Sequence, residues 1–432
     1  MKTKFFPNKL ALFTLVAACF VVNVSMGVRQ TFGLFSNNFE IDCGITNTEF
    51  GLAVALHSLI WGIFTPIFGR FADKYGGSKV VLIGLIFYAV GIFSLGNNLN
   101  TGLWFQLNLG LMVGIGLGAC SGPMLAPLAT KHFPNENRSK AAGYVTAFGG
   151  LGMFMFPALS NFLIIETGWQ TTFTVFSIIL IVMCIPALFI KNPENQNISV
   201  NLEQEQKSES AFKILKDSLE HKGFRLLILG FFVCGFQITL VATHVPRYVQ
   251  DRGLEDWTGF AILSLIGLFN IIGVLIMGHL GDKYSKKILL SALYFLRAIS
   301  IGLFILSTLN SESNEWLPYI GVIPVMSGVG GFYAPSNSTI LNVVTQSQRG
   351  SIIGLINLTR NLGNLLSIPI SVLIITTIMK SNGFYPDLSS VTESSDPNLL
   401  NVFILGMDRA FLYIGILCIV GSIISLYRRP LK

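Results

Sequence analysis

The 432-residue sequence predicts an all-α membrane protein with twelve transmembrane helices, arranged as two pseudo-symmetric six-helix bundles. Three observations lead to this expectation. Hydrophobic residues make up 52% of the chain and charged residues only 12%, so a soluble core could not hide the apolar surface. Long apolar runs alternate with short polar loops. One loop motif also occurs twice, about half a chain length apart.

The repeated motif joins two apolar stretches in each half of the chain. Gly69–Tyr75 reads Gly-Arg-Phe-Ala-Asp-Lys-Tyr, and 209 positions later Gly278–Tyr284 reads Gly-His-Leu-Gly-Asp-Lys-Tyr. A second pair of related segments begins at Arg138 and Arg349, with an offset of 211. A membrane chain that repeats a motif at half its length is typical of two copies of one helical unit, an arrangement found in secondary transporters.

A transmembrane helix needs about 20 mostly apolar residues. The run that begins near Lys9 resembles a signal peptide, but it continues to Val28, which favours a retained first helix. The polar segment 191–223 predicts a cytoplasmic linker between bundles at 1–190 and 224–432. The predicted spans are 10–35, 48–69, 79–98, 101–131, 141–165, 170–190, 224–250, 257–280, 287–309, 316–344, 350–379 and 402–427.

Lysine and arginine are unevenly distributed among the loops. Alternation of the spans places most of the 29 basic residues on one side, together with both termini. The positive-inside rule makes this side cytoplasmic, in a multi-pass protein of the cell (inner) membrane. The net charge of +7 therefore reflects topology, and we expect lipids but no nucleic acid as partners of a monomeric chain.

No cofactor or metal site is predicted, because the six cysteines show no metal-ligand spacing. Gly110, Gly114, Gly118 and Gly122 recur every fourth residue. This spacing predicts close helix packing rather than a nucleotide loop, since no strand precedes it. No combination of nucleophile and base is visible either, so the sequence does not predict an enzyme.

The segment Gly69–Lys79 resembles the signature loop between helices 2 and 3 of the major facilitator superfamily, and 278–287 resembles its echo between helices 8 and 9. The resemblance extends over nearly the whole chain. Within that superfamily, Gly27–Phe35 and Gly51–Gly62 are similar to bacterial monocarboxylate-transporter and oxalate/formate-antiporter relatives. A monocarboxylate is therefore the cargo that the resemblance implies.

The same resemblance implies a gating set at the cytoplasmic ends of the helices. Asp73 and Asp282 would accept hydrogen bonds from backbone amides and from nearby arginines on neighbouring helices, which would latch these ends together. Alternatively, the two acids only cap the helices that follow them. The gating set also includes Lys74, Arg138 and Arg349.

Three arginines fall inside predicted spans: Arg29, Arg297 and Arg360. All acidic residues are expected in loops or near helix ends, so no carboxylate is expected at mid-membrane depth. A cation at the bilayer centre costs at least about 2.5–3.5 kcal/mol and normally faces the bundle interior or a cavity. The cargo could supply the counter-charge. We therefore expect a small anionic substrate, such as a carboxylate, which a guanidinium binds bidentately.

Polar residues at three- and four-residue spacing place Arg360 on a polar stripe of one helix face. Arg297 is expected to make a structural bond, because its span is peripheral by resemblance. His57 could bind the substrate, carry a coupling proton or serve in packing. The stripe could also bond only to other helices, and Arg29 could snorkel to the surface. The predicted substrate-binding residues are Arg29, His57, Asn357, Arg360, Asn361 and Asn364.

These features predict a secondary active transporter that moves a small organic anion by alternating access, by proton symport or by exchange for a counter-anion. A carrier of another solute, such as an amino acid, another anion or an efflux substrate, is an alternative. A membrane sensor that binds without translocating is a second alternative. The short loops argue against a signalling output.

Overall fold

The protein, seen in a computed structural model, is described over residues 6–97, 102–191, 220, 222–251, 257–309, 349–385 and 396–427. Over these residues it is all-helical, with no β-strand. A 3₁₀ helix, Phe32–Phe35, joins α1 to α2, and a π-helix, Gln106–Met112, joins α5 to α6. The α-helices are α1 (Lys9–Gln30), α2 (Ser36–Cys43), α3 (Asn47–Tyr75), α4 (Gly77–Asn97), α5 (Gly102–Phe105), α6 (Val113–Cys120), α7 (Gly122–Thr130), α8 (Asn135–Thr167), α9 (Trp169–Val182), α10 (Cys184–Ala187), α11 (Lys222–Asp251), α12 (Trp257–Lys283), α13 (Lys286–Leu309), α14 (Arg349–Ser381) and α15 (Pro397–Leu426).

Eleven helical segments in the described part of the chain are long and apolar enough to cross a membrane. They correspond to eleven of the twelve predicted spans, and the remaining one, 316–344, lies outside the described residues, as does most of the linker. The first segment runs from Lys9 to Cys43, further than the predicted 10–35, because the 3₁₀ helix joins α1 to α2 without an intervening loop.

Capping residues explain where the first helices begin and end. The Asn8 side chain accepts a hydrogen bond from the backbone nitrogen of Ala11 at 2.7 Å and opens α1. Thr46 and Glu49 form a capping box at the start of α3. Directly after the repeated loop motif, Gly76 has a φ of 99°, a conformation that favours glycine and lets α4 begin at once.

Two helix pairs related by the repeat pack with their backbones in contact. A Cβ atom on Gly152 of α8 would lie 1.9 Å from the carbonyl oxygen of Asn23 on α1. A Cβ atom on Gly363 of α14 would lie 2.1 Å from the carbonyl oxygen of Phe232 on α11. The glycines are 211 positions apart and their partners 209 positions apart, the same offsets as in the repeated motifs. The sequence repeat is therefore also a repeat of helix packing.

Helices from before and after residues 191–223 also contact each other. On α3, Gly62 faces Asn361 of α14, and on α8, Gly150 faces Ile271 of α12. One hydrophobic core is built mainly from buried residues between positions 11 and 190, and a second mainly from those between 224 and 418. The two contacts bring α3, α8, α12 and α14 together where the two cores meet.

Candidate functional site

Two arginines converge on the indole ring of Trp61. The guanidinium carbons of Arg29 and Arg360 each lie 5.2 Å from the centre of this ring. Trp61 is 1% exposed, and its indole nitrogen donates a hydrogen bond to the Ser121 hydroxyl at 2.8 Å. Ser121 lies at the break between α6 and α7, and its hydrogen bond to the indole fixes the orientation of the ring. A fixed aromatic surface thus holds two cations by cation–π attraction.

The two cations come from opposite ends of the chain. Arg29 occupies the last turn of α1 and is half-buried, whereas Arg360 on α14 is 9% exposed. The absence of a side chain at Gly235 lets α11 pack against the backbone of Arg360, where an added Cβ would lie 2.0 Å from the carbonyl oxygen. The backbone that carries the Arg360 guanidinium is therefore positioned by tightly packed helices.

The predicted asparagine stripe on α14 is buried. Asn357, Asn361 and Asn364 are 6%, 2% and 2% exposed. Asn364 donates a hydrogen bond from its amide to the Asn361 side-chain oxygen at 3.1 Å. Asn361 also packs at Gly62 of α3, so this part of the stripe faces the partner helix and not lipid.

His57 lies one turn from Trp61 on α3 and is 1% exposed. The edge of its ring meets Phe32, with ring centres 6.0 Å apart. It borders a small cavity of about 20 Å³, a volume that suits one water-sized group. The cavity is lined by Arg29, Gln30, Phe32, Gly33, Val54, His57, Thr239 and Thr243.

The predicted gating residues make local contacts. Asp73 forms an ion pair with Lys131, the residue that caps the C-terminus of α7, whereas an arginine was the expected partner. The Arg138 Nε atom donates to the Phe133 carbonyl at 3.0 Å. The Lys74 ammonium lies 5.2 Å from the ring centre of neighbouring Tyr75. The side chains of Asp282 and Arg349 lie outside the described part of the structure.

The expectation that no carboxylate is buried inside a span was wrong. Asp408 is the twelfth residue of α15 and is 9% exposed, and the Tyr248 hydroxyl on α11 donates a hydrogen bond to its carboxylate. The helix begins at Pro397, five residues before the predicted start, which moves Asp408 away from the helix end. Arg297 is fully buried and donates to the side-chain oxygen of Gln237 at 3.4 Å, a structural bond.

A family model described as the Major Facilitator Superfamily matches residues 10–368. The chain belongs to the major facilitator superfamily. It is 21% identical to the riboflavin transporter RibZ of Clostridioides difficile, with 78% of this chain and 82% of that protein covered. It is 25% identical to the class B tetracycline resistance protein of Escherichia coli, with coverages of 74% and 78%.

The solved structures agree with this assignment at the level of the fold. A bacterial homologue of the human lysosomal transporter Spinster, in an inward-facing and unoccupied conformation, aligns with a TM-score of 0.76 and 14% identity. The alignment covers 98% of this chain and 97% of that one. This superfamily member is thus a multi-pass membrane transporter of a small-molecule substrate, in a family whose members are not enzymes in general.

Several residues at the site could not be recognised as site residues from the sequence. Trp61 is one of many aromatic residues, and the sequence favours a packing role for it. Gln30 and Thr239 were not predicted, yet they lie one repeat apart, with an offset of 209 positions. In a structure with pseudo-two-fold symmetry, equivalent residues near the axis meet. A search for polar pairs at the repeat offset would have found these two.

Proposed function

We propose that the chain is a secondary transporter for a small organic anion, which binds against Trp61 between Arg29 and Arg360. The convergence of two cations on one buried ring carries this proposal. Their guanidinium carbons are at most about 10 Å apart, twice the 5.2 Å that separates each from the ring. A carboxylate bound between them relieves their mutual repulsion and can form bidentate hydrogen bonds with a planar guanidinium.

Alternating access supplies the transport step in this proposal. The segments 1–190 and 224–432 act as two bundles joined by the linker 191–223, and they rock about the contacts of α3 with α14 and of α8 with α12. Because Asp73 on α3 and Lys131 after α7 both belong to the first bundle, their pair forms and breaks only as these two helix ends shift within that bundle. The exposure of both side chains, 66% and 24%, supports a contact that can be made and broken.

The finer assignments rest on the sequence resemblance. A monocarboxylate is the proposed cargo, and it is moved by proton symport or by anion exchange. The transporter is proposed to be a monomer in a bacterial-type inner membrane, with both termini in the cytoplasm. A second candidate is a carrier of another solute, favoured by the names of the two relatives, which refer to a vitamin and an antibiotic. Neither name requires an anion, and the two cations of the site are what favours the anion in this proposal.

Uptake by purified protein in proteoliposomes tests the proposal. A panel of mono- and dicarboxylates is offered with and without a pH gradient, and Arg360→Gln is compared with Arg225→Gln, which removes an exposed arginine of α11. We expect Arg360→Gln alone to weaken the apparent affinity for the transported anion by at least tenfold. Unchanged affinity for every transported anion would remove Arg360 from the site, and binding without entry into the lumen would favour a sensor.

A further inference from the structure

The cavity beside Arg29 is lined by polar side chains from both sides of the linker. Gln30 and His57 come from before it, and Thr239 and Thr243 from α11 after it. Gln30, His57 and Thr239 are 2%, 1% and 1% exposed, so solvent does not reach them. The cavity therefore lies where the two parts of the chain meet.

Three of these side chains have no hydrogen-bond partner within the described ranges. They are the Gln30 amide with both its polar atoms, the two ring nitrogens of His57 and the Thr239 hydroxyl. Buried polar atoms in proteins are nearly always bonded to protein or to ordered water. A cluster of three such side chains around one cavity, beside a guanidinium, indicates a non-protein partner with an electron-rich atom.

The cavity adjoins the proposed anion site because Arg29 belongs to both. On α3, His57 and Trp61 are four residues apart, which corresponds to about 6 Å along the helix axis. A ligand with its carboxylate against Trp61 therefore needs a chain of several atoms to bring another oxygen into the cavity. With room for one water-sized group, the cavity accommodates a single oxygen.

We propose, on the basis of the proposed anion transport, that the cavity binds a second oxygen at the far end of the substrate. The substrate class is then an organic acid with a terminal carboxylate or hydroxyl group, in preference to a simple monocarboxylate. Gln30, His57 and Thr239 determine this specificity, since a site built to hydrogen-bond a substrate group strongly rejects the analogue that lacks it.

A matched pair of four-carbon acids tests this inference in proteoliposomes. Succinate and butyrate differ only in the terminal carboxylate, and kcat/KM is measured for both. We expect the wild-type protein to prefer succinate, and Thr239→Val to reduce the succinate/butyrate ratio roughly tenfold through the lost hydrogen bond. Gln30→Leu should act in the same direction. Thr172→Val is the matched control, because this buried hydroxyl bonds its own helix backbone away from the cavity.

The possible outcomes separate this inference from the proposed function. A ratio unchanged in both Thr239→Val and Gln30→Leu, or a wild-type preference for butyrate, overturns the inference alone and leaves a resident water in the cavity. A wild-type protein that moves no acid of the mono- and dicarboxylate panel overturns it together with the proposed function. Arg360→Gln should weaken both acids alike. The thermal midpoint of Thr239→Val should equal or exceed that of the wild type, because an unpartnered buried hydroxyl is lost.

Discussion

A double-mutant cycle on Arg29 and Arg360 tests whether one anion contacts both cations. The two guanidinium carbons are at most 10.4 Å apart, twice 5.2 Å, so without a ligand they repel by about 1.6 kcal/mol or more at an effective dielectric constant of about 20. A hydrogen bond to a charged group contributes about 1.5–3 kcal/mol. Arg29→Gln and Arg360→Gln should therefore each weaken substrate binding by roughly 10- to 150-fold.

The interaction between the two substitutions is the decisive quantity. If one carboxylate bridges both arginines, it can shift toward the remaining one after the first is lost, and the two losses are then not additive. We expect a coupling free energy of about 0.5–3 kcal/mol from binding to the four proteins of the cycle. Calorimetric titration of the detergent-solubilised proteins measures it, with Arg225→Gln as the control. Losses that add within about 0.5 kcal/mol would refute a shared ligand.

Three further predictions concern the scaffold. Gly152→Ala should destabilise the protein by about 1–3 kcal/mol relative to Gly143→Ala on the same helix, because a Cβ at Gly143 meets no atom within 4 Å; equal thermal midpoints would contradict the close packing. Lys131→Gln should change the free energy of unfolding by less than about 1 kcal/mol and alter the transport rate, since the pair with Asp73 is exposed; a large loss of stability with normal uptake would assign the pair to the fold. Tyr248→Phe should lower the thermal midpoint and reduce the free energy of unfolding by about 1–3 kcal/mol, since the buried carboxylate of Asp408 loses a hydrogen-bond donor; an unchanged midpoint would show that the bond contributes nothing to stability.

Apolar run length predicted the described helices well, because lipid requires each crossing segment to satisfy its own backbone. The error at α15 came from reading polar residues as loop. The Asp396 side chain accepts a hydrogen bond from the backbone nitrogen of Asn398, and Pro397 occupies the first turn. An aspartate before a proline is a helix-start signal that outweighs local polarity. Reading it would have placed Asp408 twelve residues into the helix, away from its end.

The charged residues of the candidate site could be predicted from the sequence, but their spatial arrangement could not. Arg29 and Arg360 stand out because cations are rare inside spans. Their convergence on Trp61 depends on how α1, α3 and α14 pack, which no local pattern encodes. The same holds for the bond that ties Trp61 to Ser121, since these residues are sixty positions apart on different helices.

The packing between the two parts of the chain follows the repeat but exchanges the sizes of the partners. Gly62 of α3 meets Asn361 of α14, and the repeat-equivalent contact on the other side pairs Ile271 of α12 with Gly150 of α8. Each crossing thus keeps one small residue against one large residue. Helix approach requires only that one partner be small, so the repeat can preserve the packing while the side chains on the two sides diverge.

This freedom places the chemistry of the site on one side of the pseudo-symmetry axis. The repeat equivalent of Arg360 is Gly149, and that of Trp61 is Asn270, so the second crossing has neither the cation nor the indole. A symmetric scaffold would offer a ligand two equal sites, related by the axis. Because only one of these two crossings carries the cation and the ring, the proposed anion would have one orientation in which its charge is balanced, and both parts of the chain would hold it together.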